Sequence, residues 1–148
     1  MSEKNHASQD LRQVNKLADV EFGETLPVFE PDTSLANVQR FGTASGWNSP
    51  RFTDHDHAKK EGFPGALVPG IMSQGFLAAM IHRWAPDAQI KNVDTIFRAP
   101  VVVDVAHKIN GVVTDIDDET ALVEIDLTLV NEAGETRVLG TASVGLPL

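Results

Sequence analysis

The sequence predicts an α+β fold, an antiparallel sheet wrapped around a long buried helix, and three observations carry that expectation. From Ile90 onward the chain is rich in Val, Ile, Thr and Leu, with turn residues at "DDE" and "NEAGE". Within that half, Val123, Ile125, Leu127 and Leu129 alternate with Glu124, Asp126 and Thr128, the period-two signature of a strand with one wet and one dry face. Ahead of it, "IMSQGFLAAMIHRW" is apolar nearly all round, which marks burial rather than a surface amphipath. Such a helix followed by an antiparallel meander needs a sheet that curls about it on several sides.

Taken in order, "MSEKNHASQDLRQVNK" carries few apolar residues in no period. Residues 1–17 are therefore read as a flexible N-terminal tail, and 18–148 as a single domain. "ADVEFGETLPVFEPD" is a short extended segment with a turn at Gly23 and breaks at Pro27 and Pro31. Ser34 is placed to cap a helix over "LANVQRFGTAS", where Leu35, Val38 and Phe41 recur at helical spacing and Gly42 and Gly46 loosen the end. "GWNSPRFTD" is expected to be loop, because Pro50 forbids a central strand and Gly, Asn and Ser favour turns. Asp54 then caps a short helix, "HDHAKKEG", closed by Gly62. After the turn "FPGALVPG" comes the buried helix, stopped by Pro86. "IKNVDTIFRAPVVV", "HKINGVVTDID", "TALVEIDLTLVN" and "ETRVLGTASVGL" supply the strands. His82 and Trp84 read as packing or interface residues, and His107, at a strand start, as exposed.

Composition narrows the function classes. A length of 148 residues fits one domain with a real core. The net charge of −9 argues against nucleic acid as a partner, since nothing neutralises phosphates at scale. Cysteine is absent, which removes thiol nucleophiles, disulfides and thiolate metal sites together. No secretory leader is visible, and the longest mainly apolar stretch, Ala66 to Ile81, is broken at Pro69, Gly70, Ser73, Gln74 and Gly75. The expectation is a soluble, cytoplasmic protein with no membrane partner.

Several stretches resemble one known family. "ASG", "NSP", "TDHDHAKKEGFPG", "PGIM" and "FRAPVVVD" are similar to the MaoC-like dehydratases and (R)-specific enoyl-CoA hydratases, single-hotdog proteins that add water to acyl thioesters or remove it. The likeness runs from "LADVEFGETLP" to the last strand. It implies a hotdog fold, no cofactor, an acyl-CoA-type thioester substrate, and a homodimer or a heterodimer with another hotdog subunit. The family's active loop reads Asp, any, Asn, Pro, any, His, any, Asp. Laid along it, Pro50 and Asp54 match, whereas Trp47 stands at the catalytic Asp, Ser49 at the Asn and Phe52 at the catalytic His. Pro69 replaces a second family His just before the helix glycine. Hydration needs one group to take a proton from water and another to deliver one to the α-carbon, which Trp and Phe do at no pH. What the resemblance leaves is Gly70, whose N–H at the helix start favours a thioester oxygen gaining negative charge.

Three readings stay open on the sequence. The chain is the subunit lacking the catalytic dyad in a dimeric or heteromeric hydratase. Alternatively it is a homodimeric hydratase or a thioesterase using substitutes near Asp54 and His55, or a non-catalytic module binding an acyl or aromatic ligand. Trp47, Phe52 and Gly70 are the substrate-binding candidates in each case. "DHDH" does not read as a metal site, because His55 and His57 are two apart and cannot share a helical face. Arg98, Lys59 and Lys60 are candidates for coenzyme A phosphates, or simply solubilising charges. "TALVEIDLTLVN", unguarded by proline or lysine, is expected to be an exposed edge where a second subunit pairs.

Overall fold

The computed structural model describes residues 13–148. Helix α1 (Leu35–Ser45) starts where Ser34 Oγ accepts the Asn37 N–H at 3.2 Å, and it ends on Gly46 in the left-handed region at φ 84°. The stretch expected to be loop contains one helical turn, α2 (Pro50–Thr53). Pro50 occupies its first position, where a missing N–H costs nothing and a fixed φ is already helical. Helix α3 (His55–Lys60) is capped by Asp54, whose Oδ1 accepts the N–H groups of Asp56 and His57 at 2.9 and 3.3 Å. Helix α4 (Gly70–Trp84) is the long one.

Four strands follow: β1 (Gln89–Phe97), β2 (His107–Asp117), β3 (Leu122–Asn131) and β4 (Thr136–Gly145). They form one antiparallel sheet in the order β1-β4-β3-β2. The alternation seen in the sequence sets the dry face: Val123, Ile125, Leu127 and Leu129 are all at most 1% exposed. Leu77, Met80, Ile81 and Trp84 of α4 join them in the core. Each such side chain contributes about 1.5–3 kcal/mol by burial. The helix can settle this closely because Gly140 has no side chain; a Cβ there would lie 2.9 Å from Leu77 Cδ1.

Several expectations need correction. β3 is interior, paired on both sides, so "TALVEIDLTLVN" is no edge. The outer side of β2 is covered by the segment at 23–29, through Gly23 N–H to Val113 O, Leu26 N–H to Gly111 O and Ile109 N–H to Phe29 O. The edge left unpaired among the described residues belongs to β1, where Ile96 and Phe97 are 61% and 52% exposed. Strand 1 is also shorter than "IKNVDTIFRAPVVV": both Arg98 and Ala99 donate to Arg137 O, and the chain leaves the sheet at Pro100.

Helix α4 is not buried on every side. Ile71, Gly75, His82 and Arg83 are exposed, because one chain's sheet covers one face only. His107 is buried rather than exposed: it shares inward parity with Ile109, Gly111 and Val113, and its Nδ1 donates to Val105 O at 2.7 Å. Burial pushes its imidazole below the ordinary histidine range. Of the expected tail at 1–17, residues 1–12 lie outside the described residues. Val14 and Leu17 pack into the core, and Val14 N–H donates to Trp84 O, so the packed structure begins earlier than composition suggested.

Candidate functional site

Between α1 and α4 the chain builds two unlike structures from one stretch. The first is aromatic. At the end of α1, Gly42 brings its backbone against the loop that follows: a Cβ there would sit 2.9 Å from Trp47 O. The loop carries Trp47, 46% exposed, whose ring centroid lies 6.2 Å from that of half-buried Phe52 at a tilt of 48°. Phe52 lines a cleft of about 410 Å³. Leu67, Val68, Phe97 and Val101 form its apolar walls, Gly70 and Ser73 mark its floor on α4, and Arg51 and Arg98 stand at its rim. Trp47 is behind Phe52 and not in the lining.

The floor is the start of α4, where Gly70 and Ser73 line the cleft. Pro69 precedes α4 and offers no side-chain cap, and the first intrahelical bond runs from Ser73 N–H to Pro69 O at 3.1 Å. The N–H groups of Gly70, Ile71 and Met72 therefore have no hydrogen-bond partner among the described residues. Ser73 Oγ is buried and also lacks one. Of the two rim cations, Arg51 is committed to a bidentate pair with Glu61 at 3.0 and 3.1 Å, which holds the Glu61 carboxyl below the usual carboxylate range. Arg98 is exposed, and Lys59 and Lys60 are exposed on α3. No acidic side chain lines the cleft.

The second structure is polar and closed. Ala66 N–H donates to His55 Nδ1 at 3.0 Å, which fixes the imidazole proton on Nε2. Nε2 then donates to Asp104 Oδ2 at 2.8 Å, while Asp104 Oδ1 accepts the Leu35 N–H at 2.9 Å. The Asp104 carboxyl is held below the ordinary range, chiefly by the His55 hydrogen bond and then by the Leu35 N–H. Thr33 Oγ1 reaches Val105 O at 2.7 Å beside it. The result is a clasp joining the start of α1, the start of α3, the turn at Ala66 ahead of α4 and the strap ahead of β2.

These positions bear on the candidates read from sequence. Gly70 and Phe52 meet at the cleft; Trp47 supports Phe52. Asp54 and His55 do not line it: Asp54 is occupied as a cap, and both ring nitrogens of His55 are engaged. Among the described residues no group of three His, Cys, Asp or Glu is placed to hold a metal, and no helix is long and apolar enough to cross a membrane. Sequence reading missed Ser73 and Phe97. Ser73 looked like a mere interruption of an apolar run, yet a lone hydroxyl in a buried helix is itself a signal.

The fold has counterparts among solved structures. The unliganded R-hydratase PhaJ1 from Pseudomonas aeruginosa aligns with a TM-score of 0.84 at 22% identity, over 92% of this chain and 88% of that one. An (R)-hydratase from A. caviae involved in PHA biosynthesis gives 0.81 at 19%, covering 86% and 98%. The ChsH1-ChsH2 complex from Mycobacterium tuberculosis gives 0.78 at 20%, again over 86% and 98%. These likenesses establish the hotdog fold. By sequence alone no curated protein matches the chain. The model of the MaoC like domain matches residues 18–133, from the segment that covers β2 through β3, and by that match the chain belongs to the MaoC-like hydratase and dehydratase family.

Proposed function

We propose that this chain is the dyad-lacking subunit of a MaoC-like enoyl-thioester hydratase or dehydratase, holding an acyl-CoA-type substrate while a second hotdog subunit supplies the acid and base. One observation carries the reading. Where the family motif calls for Asp and His, this chain has the packed pair Trp47 and Phe52, of which Phe52 lines the cleft and Trp47 packs against it. Neither ring moves a proton, whereas the orphan N–H groups at Gly70 suit a thioester oxygen that gains charge. The free edge of β1, flanked by exposed Ile71, Ile96 and Phe97, supports a partner seated there. A neighbour of the same fold occurs in a two-component complex, which makes a heteromer the natural assembly to test. The substitutes named from sequence, Asp54 and His55, are a weaker route because their polar atoms are already spent on a cap and a clasp.

Purified alone, the chain is expected to show little or no enoyl-CoA hydration in a spectrophotometric assay on short, branched and polycyclic enoyl thioesters. A positioned acid or base is worth ~10²–10⁴-fold, and losses within one unit do not multiply. Activity should rise by that order when a co-encoded hotdog protein with an intact Asp and His is added, and light scattering should show an assembly larger than one chain. Robust turnover by the lone chain sinks the reading. Silence of Asp54→Asn and His55→Ala would then remove the substitutes as well.

A further inference from the structure

We infer that Ser73 is a ligand-positioning residue whose hydroxyl donates a hydrogen bond to the carbonyl oxygen of the bound thioester. The inference rests on the acyl-thioester reading above and adds a second donor to the Gly70 site. Ser73 is 1% exposed and lines the cleft, yet its Oγ has no partner among the described residues. A helical serine usually turns its hydroxyl back onto the carbonyl four residues earlier. Here that carbonyl, on Pro69, takes the Ser73 N–H and the hydroxyl makes no bond. A buried hydroxyl left unsatisfied costs stability, and alanine would avoid that cost.

The surroundings state what the missing partner is. The Gly70 N–H, one turn earlier on the same helix, also lines the cleft without a partner, and no carboxylate lines it. The N–H is a donor and the hydroxyl can donate beside it, so one acceptor atom satisfies both, and the apolar walls suit a carbonyl with a hydrocarbon chain. The oxygen is closed to solvent in this structure. A ligand reaches it by displacing a wall, and half-exposed Phe97, whose ring would lie 3.2 Å from a Cβ on Gly70, is the wall with room to move.

The test compares butyryl-coenzyme A with its S-butyl thioether, which lacks only the carbonyl oxygen, by calorimetry on the purified full chain. The natural chain should prefer the thioester. Ser73→Ala should weaken thioester binding roughly 3–10-fold and leave the thioether unchanged, while Ser73→Thr, which keeps the hydroxyl, retains the preference. The unliganded Ser73→Ala protein should melt no lower than the natural chain. Equal weakening for both ligands, no weakening, or a lowered melting temperature overturns the inference, because each assigns the hydroxyl elsewhere. Failure of the natural chain to bind either ligand instead brings down the acyl-thioester reading, and this inference with it.

Discussion

The clasp at His55 and the floor of the cleft at Ser73 lie on opposite sides of one short connection, and they treat polar atoms in opposite ways. At the clasp, each nitrogen of His55 and each carboxylate oxygen of Asp104 has its partner. At the floor, the Gly70 N–H and the buried Ser73 hydroxyl have none. Folding accounts for the first arrangement, since satisfied polar groups fix one geometry for four chain segments. It does not account for the buried Ser73 hydroxyl, which lowers stability as it stands.

The largest effect that separates the two regions should come from Asp104→Ala. It removes the acceptor for both Leu35 N–H and His55 Nε2–H, and it puts alanine at φ 66°, where Asp is tolerated better. The clasp is partly solvent-exposed, so the hydrogen bonds are discounted, and a total of about 2 kcal/mol is expected. That should lower Tm by roughly 4–8 °C for a chain of this size. Asp104→Asn, with the backbone preference and one acceptor kept, should fall between. Ligand affinity, measured well below either Tm, should be unaffected; a large loss of affinity would mean that the clasp and the cleft are one unit.

A smaller stability effect, with the opposite signature, is expected from Trp47→Ala and Phe52→Ala. The pair is only half covered, so each truncation should cost about 1 kcal/mol, near the worth of a tilted aromatic contact plus partial burial. Acyl-coenzyme A affinity should drop more for Phe52→Ala than for Trp47→Ala, because Phe52 lines the cleft and Trp47 backs it. Equal loss from both, or none, would detach the aromatic pair from binding.

Much of this was legible beforehand, and the failures have physical causes. "HKINGVVTDID" and "LANVQRFGTAS" coincide with β2 and α1, because alternation and capping chemistry are local signals. The caps at Ser34 and Asp54 were readable for the same reason. Strand order was not: the pattern at 123–129 reveals which face is dry and says nothing about which strands lie alongside, so β3 passed for an edge. His107 misled because polarity outweighed parity, although Ile109 and Val113 fix the inward register two and six residues on. The clasp joins residues 49 positions apart, which no spacing rule reaches. At the cleft, Gly70 and Phe52 came from a motif, whereas Ser73 is meaningful only once its hydroxyl is known to be alone.

The smallest expected effect is one of pH, and it tests the clasp without touching the cleft. Asp104 has its carboxyl held low by His55 and Leu35, so the folded chain prefers the carboxylate more than the unfolded chain does. Below the unfolded value the unfolded state therefore binds more protons, and stability falls as pH falls. The contribution is complete above about pH 4 and is lost as pH drops through the lower folded value. His107 has the same sign for a different reason: burial disfavours its charged form, so its contribution is complete above about pH 6.5 and fades as pH falls through its depressed value. The two windows open at different pH. Denaturant melts of the natural chain and Asp104→Asn across pH 3–7 should run parallel down to about pH 4, because both chains keep His107, and converge below it, where the natural carboxylate is being protonated. A gap between them that stays constant below pH 4 would mean that Asp104 stabilises the clasp by packing rather than by charge.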